Sequence, residues 1–397
     1  MKTKYTHLVP ALALAALTPV MAQSTGVDKS AANYKEGKFT DYLELAEKVI
    51  EENSDKLDLA EELNTREIFQ AIGLENITSY AQSSTPQGTE WINKIRLNNG
   101  GKNEGAIKLL VDTKHKGLSV PTMSPAGTDL ALQLSLNLSH IEPLITGIMG
   151  SAASDEDMDE FKAQMGEPVP MMGMSSSELL QKLDIRLNLA IDLDPNEKLP
   201  TPIGAFDKPH IVGRIDGAAW AWAKVGGQLI GSTGLPFEKV EANGVTTYSL
   251  PAEMAANFMG YSPVISVDAA KDQIWVASSP EFLVKSSNGK DSLAESAAYK
   301  ATMAGLPKDG VSMTYMSKDF ATFLIKTLGT LKDGGMMEAA GEEANTQIDN
   351  ALKQLLKVKT GAAQVISTDA EGILLSDRNV QNIEQQMAEA MELLKTK

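Results

Sequence analysis

Cysteine is absent from all 397 residues. That removes disulfides, thiolate metal sites and cysteine nucleophiles together, so stability has to come from burial and hydrogen bonding, which a chain of this length can supply. Basic clusters are missing too. The net charge is −16, and without a Lys/Arg footprint to neutralise phosphates nucleic acid is excluded as a partner, while anionic membrane surfaces repel the chain. Aromatic residues make up only 5%, and methionine fills part of that gap. The phosphate-binding G-x-x-x-x-G-K-[ST], the nucleophile elbow G-x-S-x-G, the zinc motif H-E-x-x-H and the dinucleotide motif G-x-G-x-x-G are all absent.

What is present begins with a leader. Met1-Lys2-Thr3-Lys4 is basic, Leu8 to Val20 is apolar, and Val20-Met21-Ala22 carries small residues where a signal peptidase needs them. This is the pattern of a secretory signal peptide cut after Ala22. The apolar run is shorter than the roughly 20 residues of a membrane span and is interrupted by Pro10 and Pro19. A periplasmic or secreted protein is expected, with no membrane insertion once the leader is gone. Loss of Lys2 and Lys4 takes the net charge to −18, which favours solubility.

The mature chain alternates helical and strand-like stretches. Phe39, Tyr42, Leu43, Ala46, Val49 and Ile50 recur at helical spacing, and a second helix spans Leu57 to Gly73 with Gly73 as its stop. Ile77 to Gln82, Glu90 to Leu97 and Ala106 to Val111 read as strands. Leu130, Leu132, Leu134, Leu136 and Leu138 alternate with Ala131, Gln133, Ser135 and Asn137, the clearest half-buried strand in the sequence, and Ser139 caps the following helix. Glu167 to Ser177 reads as a flexible connector, Pro195 to Pro209 as irregular chain, and His210 to Ile215 as a strand. Near the end come a long helix, Met337 to Val358, a hairpin from Gly361 to Leu375, and an amphipathic helix carrying Val380, Ile383, Met387, Ala390, Met391 and Leu394 on one stripe.

The fold class that follows is α+β, with antiparallel sheets and helices packed on one face. The expected division is a signal peptide at 1–22, an N-terminal α+β half at 23–153, and a C-terminal α+β half at 154–397 ending in the amphipathic helix. Gly127 to Gly147 and Gly310 to Leu328 share the order strand, polar break, helix, which suggests an internal duplication.

The second half is organised around Leu235 to Leu283. Asn243-Gly244 closes one hairpin and Asp268 to Asp272 a second, and Ser279-Pro280-Glu281 starts a helix. The succession LPFEKVEANGVTTYSLP, DQIWVASSPEFL, DSLAESAAYKATMAGLP and GVSMTYMS resembles exported bacterial proteins grouped as a domain of unknown function. The resemblance covers the second half and implies an extracytoplasmic α+β protein with no catalytic residues to transfer.

Few residues stand out as ligand candidates. Met171, Met172 and Met174 supply soft thioethers of the kind that bind copper(I), or methionines that pack a loop against a groove. Trp220 and Trp222, flanked by alanines, suit either a pocket wall or a core. Asp192-Leu193-Asp194-Pro195-Asn196 lacks the Gly and Glu of a calcium loop and reads as a strand-end turn. Of the histidines, His115 reads as loop, His140 as a helix start and His210 as a strand start.

The sequence therefore names no catalytic residue, no cofactor and no metal ligand. Three functional readings follow. The first is non-catalytic binding to an envelope component or another protein. The second is carriage of an apolar small molecule or lipid, and the third is a hydrolase with a dispersed site.

Overall fold

The computed structural model describes residues 26–388, except 32, 42, 45, 46, 49–64, 153, 202, 203, 334–348, 350, 351, 354, 359 and 360. The leader, the start of the helix expected from Leu57, most of the helix expected from Met337 and the end of the final helix lie outside the described residues. Where described, residues 65–71, 352–353 and 383–388 are helical.

The strands in chain order are β1 (Lys35–Lys38), β2 (Ser79–Gln87), β3 (Glu90–Asn98), β4 (Leu130–Asn137), β5 (Pro168–Val169), β6 (Met174–Ser175), β7 (Asp184–Thr201), β8 (Gly204–Asp216), β9 (Glu238–Ala242), β10 (Val245–Ser249), β11 (Val264–Asp268), β12 (Gln273–Ala277), β13 (Ser312–Ser317), β14 (Gly361–Asp369) and β15 (Gly372–Asn379). The pairings are antiparallel, and with the helices between them the fold is α+β. The chain forms two compact units, one from residues 1–116, 136–184 and 366–397, the other from 117–135 and 185–365.

In the first unit β1, β2, β3 and β15 lie side by side. Their apolar face packs Phe39, Leu43, Phe69, Ile77, Ile107, Val111 and Ile373 into one core. Ile107 and Val111 reach that core from a helix, Ala106–Val111, not from the strand expected there. The cause is a close backbone crossing. Gly105 has φ 58°, and a Cβ on it would lie 2.2 Å from the carbonyl carbon of Ile72, so only glycine lets the chain pass and turn into the helix. The stretch from Glu167 to Ser177 likewise departs from the flexible connector expected. It holds the small β5–β6 hairpin and a capping box in which Ser175 and Glu178 exchange bonds, the reciprocal pairing that fixes a helix start. Asn137, not Ser139, caps the turn after β4, its side chain accepting from Ser139 N.

Two carboxylates tie this unit's sheet. Asp369 receives the buried Arg96 guanidinium through both oxygens, with Nη1 2.7 Å from Oδ2. Asp377 accepts from Asn93 Nδ2 at 2.7 Å, and its inward-turned carboxyl is pushed by burial up to about 6 from 3.8. A folded pKa above the unfolded one means the native state keeps a proton that the unfolded chain has lost. Stability contributed by this group is therefore full below about pH 4 and is lost as pH rises to about 6. Asp377→Asn should remove roughly 2 kcal/mol of that decline. Urea midpoints at pH 4.5 and 7 for both proteins would show it.

In the second unit β13, β4, β7, β8, β12, β11, β10 and β9 follow one another. The four central strands and both turns stand as the sequence predicts. Asn243 and Gly244 have φ 52° and 79°, the two positive angles of a hairpin turn that matches strand twist, and Ala242 faces Val245 across it. Ser279 Oγ accepts from Phe282 N at 3.2 Å and caps the helix Pro280–Ser287. The prolines after Asp194 do not break the chain into loops as expected. β7 runs on to Thr201, shedding its extra residues in a bulge between Asp194 and Lys198, the kind of irregularity where a missing ladder donor is tolerated. β4 and β13 pair with each other, Leu132 opposite Thr314. Each precedes a helix, Ile141–Ala152 and Lys318–Asp333, a shared order that does not amount to a duplication. No helix among the described residues is long and apolar enough to cross a membrane.

Candidate functional site

The leucine alternation of β4 predicts a half-buried strand, and the side that is the more deeply buried is the polar one. Ala131, Gln133 and Ser135 are 0%, 3% and 0% exposed, whereas Leu134 is 37% exposed and Leu130 and Leu132 are half-buried.

Much of the polar side is held by buried partners, although Ser135 Oγ has none. Gln133 Oε1 accepts from Ser119 N at 2.7 Å and Val120 N at 3.1 Å, and its Nε2 donates to Gly117 O at 2.9 Å. Ser119 Oγ donates to Asn188 Oδ1 at 2.8 Å. Gln133 and Asn188 thus meet the same serine, which places the polar residues of β4 and β7 on one side of the sheet. Asn188 continues to Asp216 Oδ2 at 3.3 Å. Asp216 also accepts from Arg186 Nε at 2.7 Å, and Arg214 Nε lies 3.0 Å from its other oxygen. Arg214 in turn sits 5.1 Å above the Trp275 ring, a favourable place for a guanidinium on a π face. Burial pushes the Arg214 guanidinium down from its ordinary value while Asp216 pushes it back up.

The opposite side is aliphatic. Register sets Leu187 opposite Ile215, Leu189 opposite Gly213 and Ile191 opposite Ile211. It then sets Gly213 opposite Val276 and Val276 opposite Ile265. Directly opposed residues share a face, so these side chains form one surface that Leu132 and Leu134 extend. Leu187, Ile211 and Val276 are 39%, 39% and 43% exposed. Gly213 makes a dent in the middle. A Cβ there would meet nothing nearer than Asn188 O at 3.6 Å, an ordinary van der Waals contact. Scattered apolar residues on a surface are ordinary; here Leu187, Ile211 and Val276 lie on neighbouring strands of one sheet.

The helix Ala219–Ser232 walls one flank of this face. Ala219 and Trp222 pack with Ile215, Ile265, Val267 and Ile274, and Trp222 meets Tyr248 edge-on at 6.5 Å. The indole Nε1 of Trp222 is buried with no hydrogen-bond partner, and Gly226 makes room for it: a Cβ at 226 would lie 2.2 Å from that nitrogen. Trp220 is half-buried on the same helix. The methionines are elsewhere, at the β5–β6 turn of the first unit. Met171 is exposed with φ 66°, and Met172 and Met174 are buried.

A second feature gathers residues that the sequence left apart. The pairing of Asp192 with His210 helps bring Asp194, Glu197 and His210 together, one ligand atom from each lying within 4.8 Å of the others. This is the group among the described residues that could hold a metal ion. Its members already have partners. Glu197 accepts from Lys208 at 2.8 Å, and Asp194 accepts from Asn196 N at 2.8 Å, the local turn of a strand-end bulge. His210 stacks on Phe282 at 5.4 Å in a cavity of about 390 Å³ that Asp192 and Lys285 also line. His115 is held by Asp184 O at 3.1 Å, and His140 lies 3.1 Å from Asp112. Both are in the first unit.

No family model, curated protein or solved structure matches the chain. The arrangement in the second unit is therefore read on its chemistry: a sheet whose more deeply buried side carries the polar groups and whose partly exposed side carries the hydrocarbon.

Proposed function

We propose that this is an exported, non-catalytic carrier of an apolar, chain-like small molecule such as a lipid acyl chain, held on the aliphatic face of β4, β7, β8 and β12. The observation that carries the reading is strand β4, whose leucines stay half-exposed while Gln133 is buried. Of the three readings open from the sequence, the composition of the face favours this one. Protein interfaces draw their affinity from Trp, Tyr and Arg anchors and under-use leucine. The exposed stretch here, Leu134, Leu187, Ile211, Gly213 and Val276, has no such anchor. A hydrocarbon chain needs none, since its gain scales with apolar area removed from water, about 25 cal/mol per Å².

Export belongs to the same proposal. It rests on the leader at 1–22, the absence of cysteine, and the resemblance of the second half to exported bacterial proteins. The Trp220–Trp222 helix then acts as the wall of the carrier, with Trp222 bordering the ligand.

A neutral fluorophore that brightens in apolar surroundings, N-phenyl-1-naphthylamine, tests the face. Saturable binding to the wild-type chain is expected. Gly213→Leu, which fills the dent without a backbone clash, should weaken it by about tenfold. Equal binding by the variant, or none by the wild type, would count against the carrier. Cross-linking of the unliganded chain to one protein in intact cells would instead favour the macromolecular reading.

A further inference from the structure

We propose that the covered side of the second unit's sheet holds a separate site for a small organic monocarboxylate, in the cavity of about 370 Å³ between β8, β11 and β12 and the helix Pro280–Ser287. It does not rest on the carrier reading, since it lies on the opposite face.

The charges around the cavity do not balance. Arg186 and Arg214 share one carboxylate, Asp216, which leaves one positive charge unmatched among side chains that are 17%, 10% and 5% exposed. An uncompensated charge at such depth is costly, and an anion is what would offset it. Arg214 is the member that faces the cavity. Its Nη2 donates to Asp216 Oδ2 at 3.2 Å, while Nε, 3.0 Å from Oδ1, makes no hydrogen bond.

Ser286 lines the same cavity, is 2% exposed, and its Oγ has no hydrogen-bond partner. Buried hydroxyls are nearly always satisfied, so a free hydroxyl and an incompletely satisfied guanidinium lining one cavity point to a missing acceptor.

The rest of the wall selects the ligand's body. Trp275 lies directly between Arg214 and Ser266 in the strand register, and Leu283 and Met123 add apolar surface. The other charged pair lining the cavity, Asp268 and Lys271, is closed on itself at 2.9 Å. A single surplus charge matches a carboxylate better than a doubly charged phosphate. The aromatic and aliphatic walls fit an apolar or planar body, as ligand pockets of this size commonly do.

Calorimetric titration of the full-length chain with benzoate, with benzyl alcohol as its neutral counterpart and with inorganic phosphate, tests the assignment. Benzoate should bind one per chain with Kd near or below about 1 mM, benzyl alcohol at least about tenfold more weakly. Ser286→Ala, which removes the hydroxyl and adds no atoms, should weaken benzoate by about fivefold or more with Tm not lowered. Three results would overturn the proposal. They are no saturable heat with benzoate, equal affinity for the alcohol or phosphate, and a Ser286→Ala protein that folds and binds benzoate as the wild type does.

Discussion

Asp216→Ala should lower the stability of the second unit by about 3–5 kcal/mol, because it strips two buried guanidinium groups of their shared carboxylate. In thermal unfolding that is a drop in Tm of roughly 10 °C or more for a unit of this size. The loss comes less from the attraction forfeited than from leaving Arg186 and Arg214 as largely buried like charges with no carboxylate between them. A consequence separates this account from simple loss of packing. Replacing Arg186, Asp216 and Arg214 together by methionine, leucine and methionine should be less damaging than Asp216→Ala alone, since the three act as one unit and their effects do not add. If the triple variant were the worse of the two, the network would be stabilising in its own right.

Leu134→Glu combined with Leu187→Glu should abolish binding of an apolar ligand while leaving the fold in place. Each leucine offers about 1.5–3 kcal/mol of transfer free energy to a partner that covers it, and a carboxylate facing hydrocarbon is costly to desolvate. The double variant should therefore bind N-phenyl-1-naphthylamine at least about a hundredfold more weakly. Its stability should fall by only about 1–2 kcal/mol, because both positions already face solvent in part. A surface that served only to pack the protein's own core would give the opposite pattern, a large loss of stability.

Elements whose causes are local were legible. The hairpin at Asn243-Gly244, the turn from Asp268 to Asp272 and the cap at Ser279 each depend on a few adjacent residues, and all stand where the sequence put them. The helix at Ala106–Val111 was not legible as a helix, because its cause is a backbone crossing between Ile72 and Gly105, more than thirty positions apart. The spacing of Ile107 and Val111, four apart, was the one local sign. β4 is the instructive case. Its alternation was correct, yet periodicity says which residues share a face and not which face is covered. That was decided by Ser119 and Asn188, neither of them near β4 in sequence. Likewise Arg186 and Asp216 meet only through the β7–β8 register, and Asp194, Glu197 and His210 only through the fold of the same hairpin. Trp222 was singled out for its flanks, and it borders the aliphatic face. The Met171 to Met174 cluster was singled out for its spacing, and the structure turns Met171 outward and buries the other two.

The most direct test of the carrier is a native mass spectrum of the chain purified without detergent from a host that exports it, before and after mild denaturation. The account predicts an added mass of one lipid-sized apolar molecule, released on denaturation and absent from the Leu134→Glu, Leu187→Glu protein. A bare chain mass in the wild type, or an adduct that the double variant retains, would contradict it.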